Sequence, residues 1–272
     1  MISIITPCLN SAEYIPKCVE CVAQQVLEGY EHLFMDGGST DATLEILSAY
    51  QKAYNHIRVI SQADNGQSQA MNSGIHEAKH DLIGFLNVDD SYMADTLNIV
   101  TTIALRAPSY SFIVGNCLLV SSSGKSLSIN KPSSLNFFCL LLSTRIFPYP
   151  SNPSAYFYDR RLHDLVGYYT EDFHYTMDLE FILRMSKVAN VIKIDSILGT
   201  FTLHSGSKTI RNRQQSSIER LKWQSKYVHQ LDPLTFVLYK VLRLFVLCHE
   251  AFYQARVLSG RAFSRLRYLL VT

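Results

Sequence analysis

Apolar positions in the first 110 residues follow two alternating rhythms. ISIIT (2–6), EHLFM (31–35), IRVIS (57–61) and DLIGFLN (81–87) are short, nearly unbroken apolar runs, the pattern of strands buried on both faces. Between them, SAEYIPKCVECVAQQVL (11–27), TDATLEILSAYQKA (40–53) and QSQAMNSGIHEA (67–78) carry apolar residues at helical spacing. Asn10 is the expected cap of the first helix and Thr40 or Asp41 that of the second. Strands separated by helices of this length predict βαβ units and an α/β fold with a mostly parallel sheet.

Beyond residue 110 the pattern weakens. SFIVGNCLLV (111–120) and LSIN (127–130), joined by a Gly-containing turn, predict a hairpin, and NPSAYFY (152–158) a strand. Helices are expected over 92–106, 134–144, 177–189 and 216–231, and one or two strands over 190–204.

Parallel sheets bind ligands at the carboxyl ends of their strands. Here those ends are TPCLN (6–10), DGGSTD (36–41), QADNG (62–66) and NVDD (87–90). Three loops bearing aspartate on one edge repel one another unless a cation or hydrogen-bond donors meet them. There is no GxxxxGK phosphate loop, no GxGxxG and no HExxH. A nucleotide remains compatible if the aspartates read base and ribose and a divalent ion bridges its phosphates. Asp36, as an acceptor-only carboxylate, suits a uracil imide N–H or a ribose hydroxyl; an Asp-Gly-Gly turn with Ser39, Thr40 and Asp41 capping the next helix explains residues 38–41 but leaves Asp36 without a role. Asp89 and Asp90 suit Mg²⁺ or Mn²⁺, and equally suit capping of the following helix. Residues one apart do not easily face one ion, so Asp89 is the expected ligand and Asp90 its support.

Composition narrows the class. The chain of 272 residues is 47% hydrophobic, enough for a sizeable core. Its net charge of +2 is unevenly spread: residues 205–272 hold 12 Lys/Arg against 3 Asp/Glu, a net of +9, leaving −7 on residues 1–204. Six cysteines in apolar surroundings, with no leader-like pattern, predict a reduced, cytoplasmic protein. Cys18 and Cys21 form a CxxC with no second pair at metal-site spacing, so buried thiols are expected there.

TPCLN, MDGGSTDAT, ADNGQSQAMNSGI and GFLNVDD, in this order, resemble the N-terminal half of the family 2 glycosyltransferases, in particular those that make bacterial surface polysaccharides. VGYYTEDFHYTMDLEFILRM (166–185) is similar to the family's acceptor-side segment and LGTFTLHSGSKT (198–209) to its closing motif. The resemblance covers about residues 1–210 and implies a GT-A fold, with a Rossmann-like, mostly parallel sheet flanked by helices. It implies a nucleotide-binding half (1–110), an acceptor half (111–210) and a helical, basic extension (211–272).

By the same resemblance, Pro7 and Leu9 line a base pocket with Thr6 beside them. Asp36 contacts a uracil-like base, Asp64 helps hold the nucleotide, and Asn87 with Asp89 stands where the family has Asp-x-Asp. Asp178 is the general base, with Glu171 and Asp172 as alternatives. His204 and Lys208 approach the diphosphate or its Mn²⁺ or Mg²⁺ ion, with Asp89, Asp90 and His204 as the metal set. Two positions depart from the pattern: Asn87 in place of the commoner Asp, and Thr202 in place of an Arg often found two residues before the closing His. Asp178 and Glu180 are two apart on a helix and cannot share a face, so Glu180, with Arg184 one turn on, is expected to be structural.

The expected activity is inverting transfer of a sugar from a nucleotide-sugar, UDP-linked in preference, to a growing glycan or a lipid-linked acceptor. Nucleotidyl transfer, or nucleotide-sugar binding without catalysis, are the other readings. PLTFVLYKVLRLFVLCHEAFYQARVL (233–258) is apolar but broken by Lys240 and Arg243. Two readings stand for it: an interfacial helix on an anionic leaflet, or a helix packed on protein. Nucleic acid is disfavoured, since the cations come with aliphatic bulk and no recognised binding module.

Overall fold

The four N-terminal apolar runs form β1 (Ile2–Cys8), β2 (Glu31–Asp36), β3 (Ile57–Ser61) and β4 (Leu82–Phe85), parallel neighbours in the order β3-β2-β1-β4. The computed structural model describes residues 1–25, 27–142, 147–207, 212–249 and 252. Beyond β4 the sheet continues through β8 (Tyr156–Asp159), β6 (Ser111–Ser121), β9 (Asn190–Leu203) and β5 (Ser91–Tyr92), with β7 (Ser126–Asn130) on β6 as the expected hairpin. β8 runs antiparallel to both β4 and β6, whereas β6 and β9 are parallel. Thus β1–β4, β6 and β9 all point one way, and β5, β7 and β8 run against them.

Period-two alternation divides the core between the two faces. Ile5, Leu33, Met35, Ile83, Phe85, Phe112 and Tyr156 pack on one face, beneath α3 (Gln67–Glu77), α5 (Phe137–Leu142), α6 (Leu162–Val166), α7 (Met177–Met185) and α8 (Arg213–Val228). Ile4, Phe34, Leu82, Ile113 and Phe157 pack on the other, beneath α1 (Ile15–Ala23), α2 (Thr43–Ala53) and α4 (Thr96–Ala104). Gly74 lets α3 close on β1, since a Cβ there would stand 2.5 Å from Ile5 Cγ2. Trp223 of α8 is fully buried in the first of these clusters, so the segment 213–228 shares the main core and does not form a separate unit.

Several helix starts differ from the sequence expectation for one reason: the polar residues ahead of them tie loops together. Asn10 does not cap α1; it adopts a left-handed conformation (φ 49°) and its Oδ1 accepts from Thr40 N at 2.9 Å. α4 begins after Asp95, because Ser91–Tyr92 first pair with β9, so neither Asp89 nor Asp90 caps it. The segment expected as a strand from 152 opens with a short 3-10 turn, Pro153–Ala155, on which Asn152 acts as the cap. Cys18 is fully buried and Cys21 Sγ accepts from Tyr92 N at 3.0 Å, while burial raises both thiol pKa values.

Candidate active site

A cleft of about 430 Å³ opens over the carboxyl edge of the sheet. Pro7, Cys8 and Leu9 from the end of β1, Asp64 from the loop after β3, and Asn87, Val88, Asp89 and Asp90 from the loop after β4 line one side. The other side is closed by Asn152 and Pro153, by His174, Tyr175 and Asp178 at the start of α7, and by Gly206 and Ser207 after β9. The antiparallel β8 makes this closure, since its first residues emerge at the edge where the parallel strands end.

The cleft gathers Pro7, Leu9, Asp64, Asn87, Asp89, Asp90 and Asp178. Leu9 presents a side chain that is 55% exposed, an apolar wall without a protein partner to cover it. Three expected positions do not line it: Thr6, Asp36 and His204, the last of which stands behind Asp89. Thr6 is fully buried and its Oγ1 lies 2.9 Å from His32 Nε2, because strand alternation turns it away from the edge. Asp36 is also buried: its Oδ2 accepts from Gly38 N (3.1 Å), Ser39 N (3.1 Å) and Ser61 Oγ (2.7 Å). Those donors tie the carboxylate into the loop, beside a small pocket that it lines with Asp64. Lys208 lies outside the described residues.

Asp64 is the carboxylate that reaches the cleft from this side. Its Oδ1 accepts from Gly66 N at 2.8 Å, and its Oδ2 lies 2.6 Å from where a Cβ on Gly37 would stand. Glycine at 37 therefore makes room for Asp64.

The NVDD turn divides its labour. Asp90 is 1% exposed: Oδ2 accepts from Asn87 Nδ2 (3.0 Å) and Asn152 Nδ2 (2.7 Å), and Oδ1 from Thr202 N (2.8 Å). It thereby joins β4, β8 and β9, and burial followed by the neighbouring Asp89 charge pushes its pKa up to about 7. With both oxygens engaged it braces the turn and does not serve as a metal ligand here. Asn87 in turn accepts from Gln67 Nε2 at 3.1 Å. The amide at 87 has a structural reason, because a carboxylate in its place could not donate to Asp90. Asn87→Asp is expected to lower stability by about 2 kcal/mol, the order of a lost buried hydrogen bond with an unmet acceptor. In thermal unfolding this is a fall of roughly 5 °C in Tm; an unchanged midpoint refutes the assignment.

Asp89 is the half-buried acid of the turn that reaches the cleft, and His204 Nε2 lies 2.8 Å from its Oδ2. Gly206 N donates to His204 Nδ1 at 3.2 Å, so Nδ1 is the acceptor and Nε2 carries the proton that Asp89 receives. A histidine bound to metal through Nε2 ordinarily donates from Nδ1, and here a donor faces Nδ1. His204 therefore fits as Asp89's hydrogen-bond partner and does not fit as a ligand in this arrangement. Among the described residues no group of three or more His, Cys, Asp or Glu side chains could enclose a metal. A Mg²⁺-like ion held by one or two carboxylates and substrate phosphates needs no such cage, and Asp89 supplies one.

Asp178, on the first turn of α7, is half-buried at the cleft, whereas Glu171 and Asp172 are exposed and do not line it. Buried Tyr156 lies near it; burial first, then the Asp178 charge, holds the tyrosine hydroxyl well above the usual phenol range. Glu180 faces inward, accepting from Arg184 Nη2 (2.8 Å) and Tyr227 Oη (2.5 Å). Glu219 of α8 escaped sequence reasoning. Its carboxylate accepts from the backbone N–H groups of His174 (3.0 Å), Tyr175 (2.8 Å) and Thr176 (3.1 Å), pinning the chain that leads into Asp178. The one signal for it was an acid isolated in a basic segment.

The sheet order and the aspartate-bearing carboxyl edge are those of a GT-A fold, as the solved glycosyltransferases it superposes on show. The solved fold of S. aureus TarS 1–349 in complex with UDP-GlcNAc superposes with a TM-score of 0.67 at 19% identity, covering 85% of this chain and 67% of that one. Another structure of S. aureus TarS 1–349 has a TM-score of 0.65, with the chain spanning 66% of its length. The mannosyltransferase PcManGT of Pyrobaculum calidifontis, in complex with GDP-Man and Mn²⁺, gives 0.62 at 15% identity over 96% of this chain and 79% of that one. A PGL/p-HBAD biosynthesis glycosyltransferase of Mycobacterium bovis is 31% identical over 190 residues, 68% of this chain and 69% of the relative. Residues 3–149 match Glycosyl transferase family 2, and the chain belongs to that family.

Proposed function

We propose that the protein transfers a sugar, with inversion, from a nucleoside-diphosphate sugar to a hydroxyl of a growing glycan or lipid-linked acceptor. What supports the reading is one observation above all: Asp178 faces the same cleft as Asp64, Asn87 and Asp89. A base on the acceptor side thus opposes the carboxylate that would meet the diphosphate's counter-ion.

In the proposed step, Asp178 takes the proton of the acceptor hydroxyl as its oxygen bonds to the anomeric carbon. The bond from that carbon to the diphosphate oxygen breaks, and the nucleoside diphosphate leaves with the electron pair. Pro7 and Leu9 offer the base an apolar wall, and Asp64 can accept from an imide N–H, which uracil and thymine carry and adenine and cytosine lack. Asp89 would hold a divalent cation, Mn²⁺ or Mg²⁺, whose contribution when bound is to neutralise charge on the leaving diphosphate. His204 and Gly206 keep the Asp89 carboxylate oriented.

Titration calorimetry with UDP-, GDP- and dTDP-sugars in the presence of Mn²⁺ tests the reading. Expected is saturable binding of a UDP-sugar that Asp64→Ala weakens. Binding of no nucleotide-sugar refutes it.

A further inference from the structure

The helix over 233–249 has two apolar faces, and the protein uses one of them. On the inner face, Tyr239 and Val246 are 6% and 2% exposed, with Phe236 and Leu242 packed partly into the core. Tyr239 meets the Phe138 ring edge-on at 6.3 Å, and Arg243 Nη1 donates to Leu142 O at 2.9 Å, fixing the helix to α5. On the outer face, Leu234, Val237, Leu238, Val241, Leu244 and Phe245 follow the spacing i, i+3, i+4, i+7, i+10, i+11 and form one stripe. Their exposures run from 51% at Leu238 to 80% at Leu234. Six large apolar side chains left on one stripe are a contiguous surface, which in soluble proteins marks a site of interaction.

We propose that this stripe docks the protein on an anionic lipid surface. Charge selects the occupant. Lys240 flanks the stripe, and the 20 residues that follow Phe252 contain Arg256, Arg261, Arg265 and Arg267 with no acidic residue. A second copy of the chain would add the same positive charge, whereas an anionic leaflet complements it. Apolar side chains seated at the acyl boundary, with a cation such as Lys240 beside them, are the binding mode of an interfacial helix. Among the described residues no helix is long and apolar enough to cross a membrane, so the contact is lateral. The inference goes beyond the transferase reading and stands without it, because vesicle binding requires neither donor nor acceptor.

Co-sedimentation of the 272-residue chain with phosphatidylcholine vesicles, with and without 30% phosphatidylglycerol as about that fraction of the lipid, tests it. Binding is expected to the anionic vesicles, weakening as salt rises. Leu244→Asp with Phe245→Asp, both on the outer face, should reduce it by at least about tenfold while the thermal unfolding midpoint stays unchanged. Undiminished binding by this double variant overturns the proposal, as does equal binding to neutral vesicles. A chain that binds neither vesicle and runs as a dimer by light scattering, reverting to monomer in the double variant, overturns it in favour of a second copy.

Discussion

Asp178→Asn is expected to lower sugar transfer by at least about 10³-fold while leaving donor binding nearly intact, in line with the 10²–10⁴ contributed by a positioned general base. The asparagine keeps the size of the side chain and its place on the first turn of α7, but cannot take the acceptor proton. Three features hold the position steady and make the variant informative. Glu219 fixes the backbone of residues 174–176, Arg184 and Tyr227 hold Glu180 on the inner side of the same helix, and Met177 is buried. Loss of transfer with an unchanged melting curve and unchanged UDP affinity by calorimetry therefore reads as chemistry. Turnover retained within about tenfold, which is less than a positioned base supplies, would remove Asp178 from the role.

The legibility of this site in the sequence follows the reach of its interactions. Pro7, Leu9, Asp64, Asn87 and Asp89 were legible because each lies at or within three residues of the end of an apolar run, and parallel strands put all such ends on one edge. Asn152 was not legible. It reaches the cleft because β8 runs antiparallel between β4 and β6, a pairing that no local pattern encodes. Glu219 is a similar case, acting across 45 residues on His174.

Asp36 marks a different limit. Its residue type suits a ligand, and in the fold Gly38 N, Ser39 N and Ser61 Oγ also donate to it, which the sequence pattern did not announce. Residue type states what a group can accept; only the fold states what reaches it. Gly37 carries the complementary lesson, since its missing side chain is the space that Asp64 occupies.

Chelation by EDTA is expected to stop transfer and Mn²⁺ or Mg²⁺ to restore it, because the leaving diphosphate otherwise departs with its charge unmet; such stabilisation is worth several kcal/mol, or roughly 10³-fold. The site residues should divide sharply in this assay. Asp89→Ala removes the one carboxylate of the turn that is not committed to the scaffold, and should raise the metal concentration for half-maximal activity by at least about 100-fold, as loss of an ion's direct oxygen ligand implies. His204→Ala should raise it by less than about tenfold, at the low end of what loss of a supporting partner costs. The asymmetry rests on the imidazole's orientation, with Nδ1 engaged by the Gly206 N–H and the Nε2 proton directed to Asp89. Equal losses in the two variants would mean that His204 turns over to bind the ion directly, and transfer indifferent to chelation would remove the metal from Asp89 altogether. In the second case the NVDD turn would be a scaffold throughout, with Asp89 paired to His204 as Asp90 is paired to Asn87, Asn152 and Thr202.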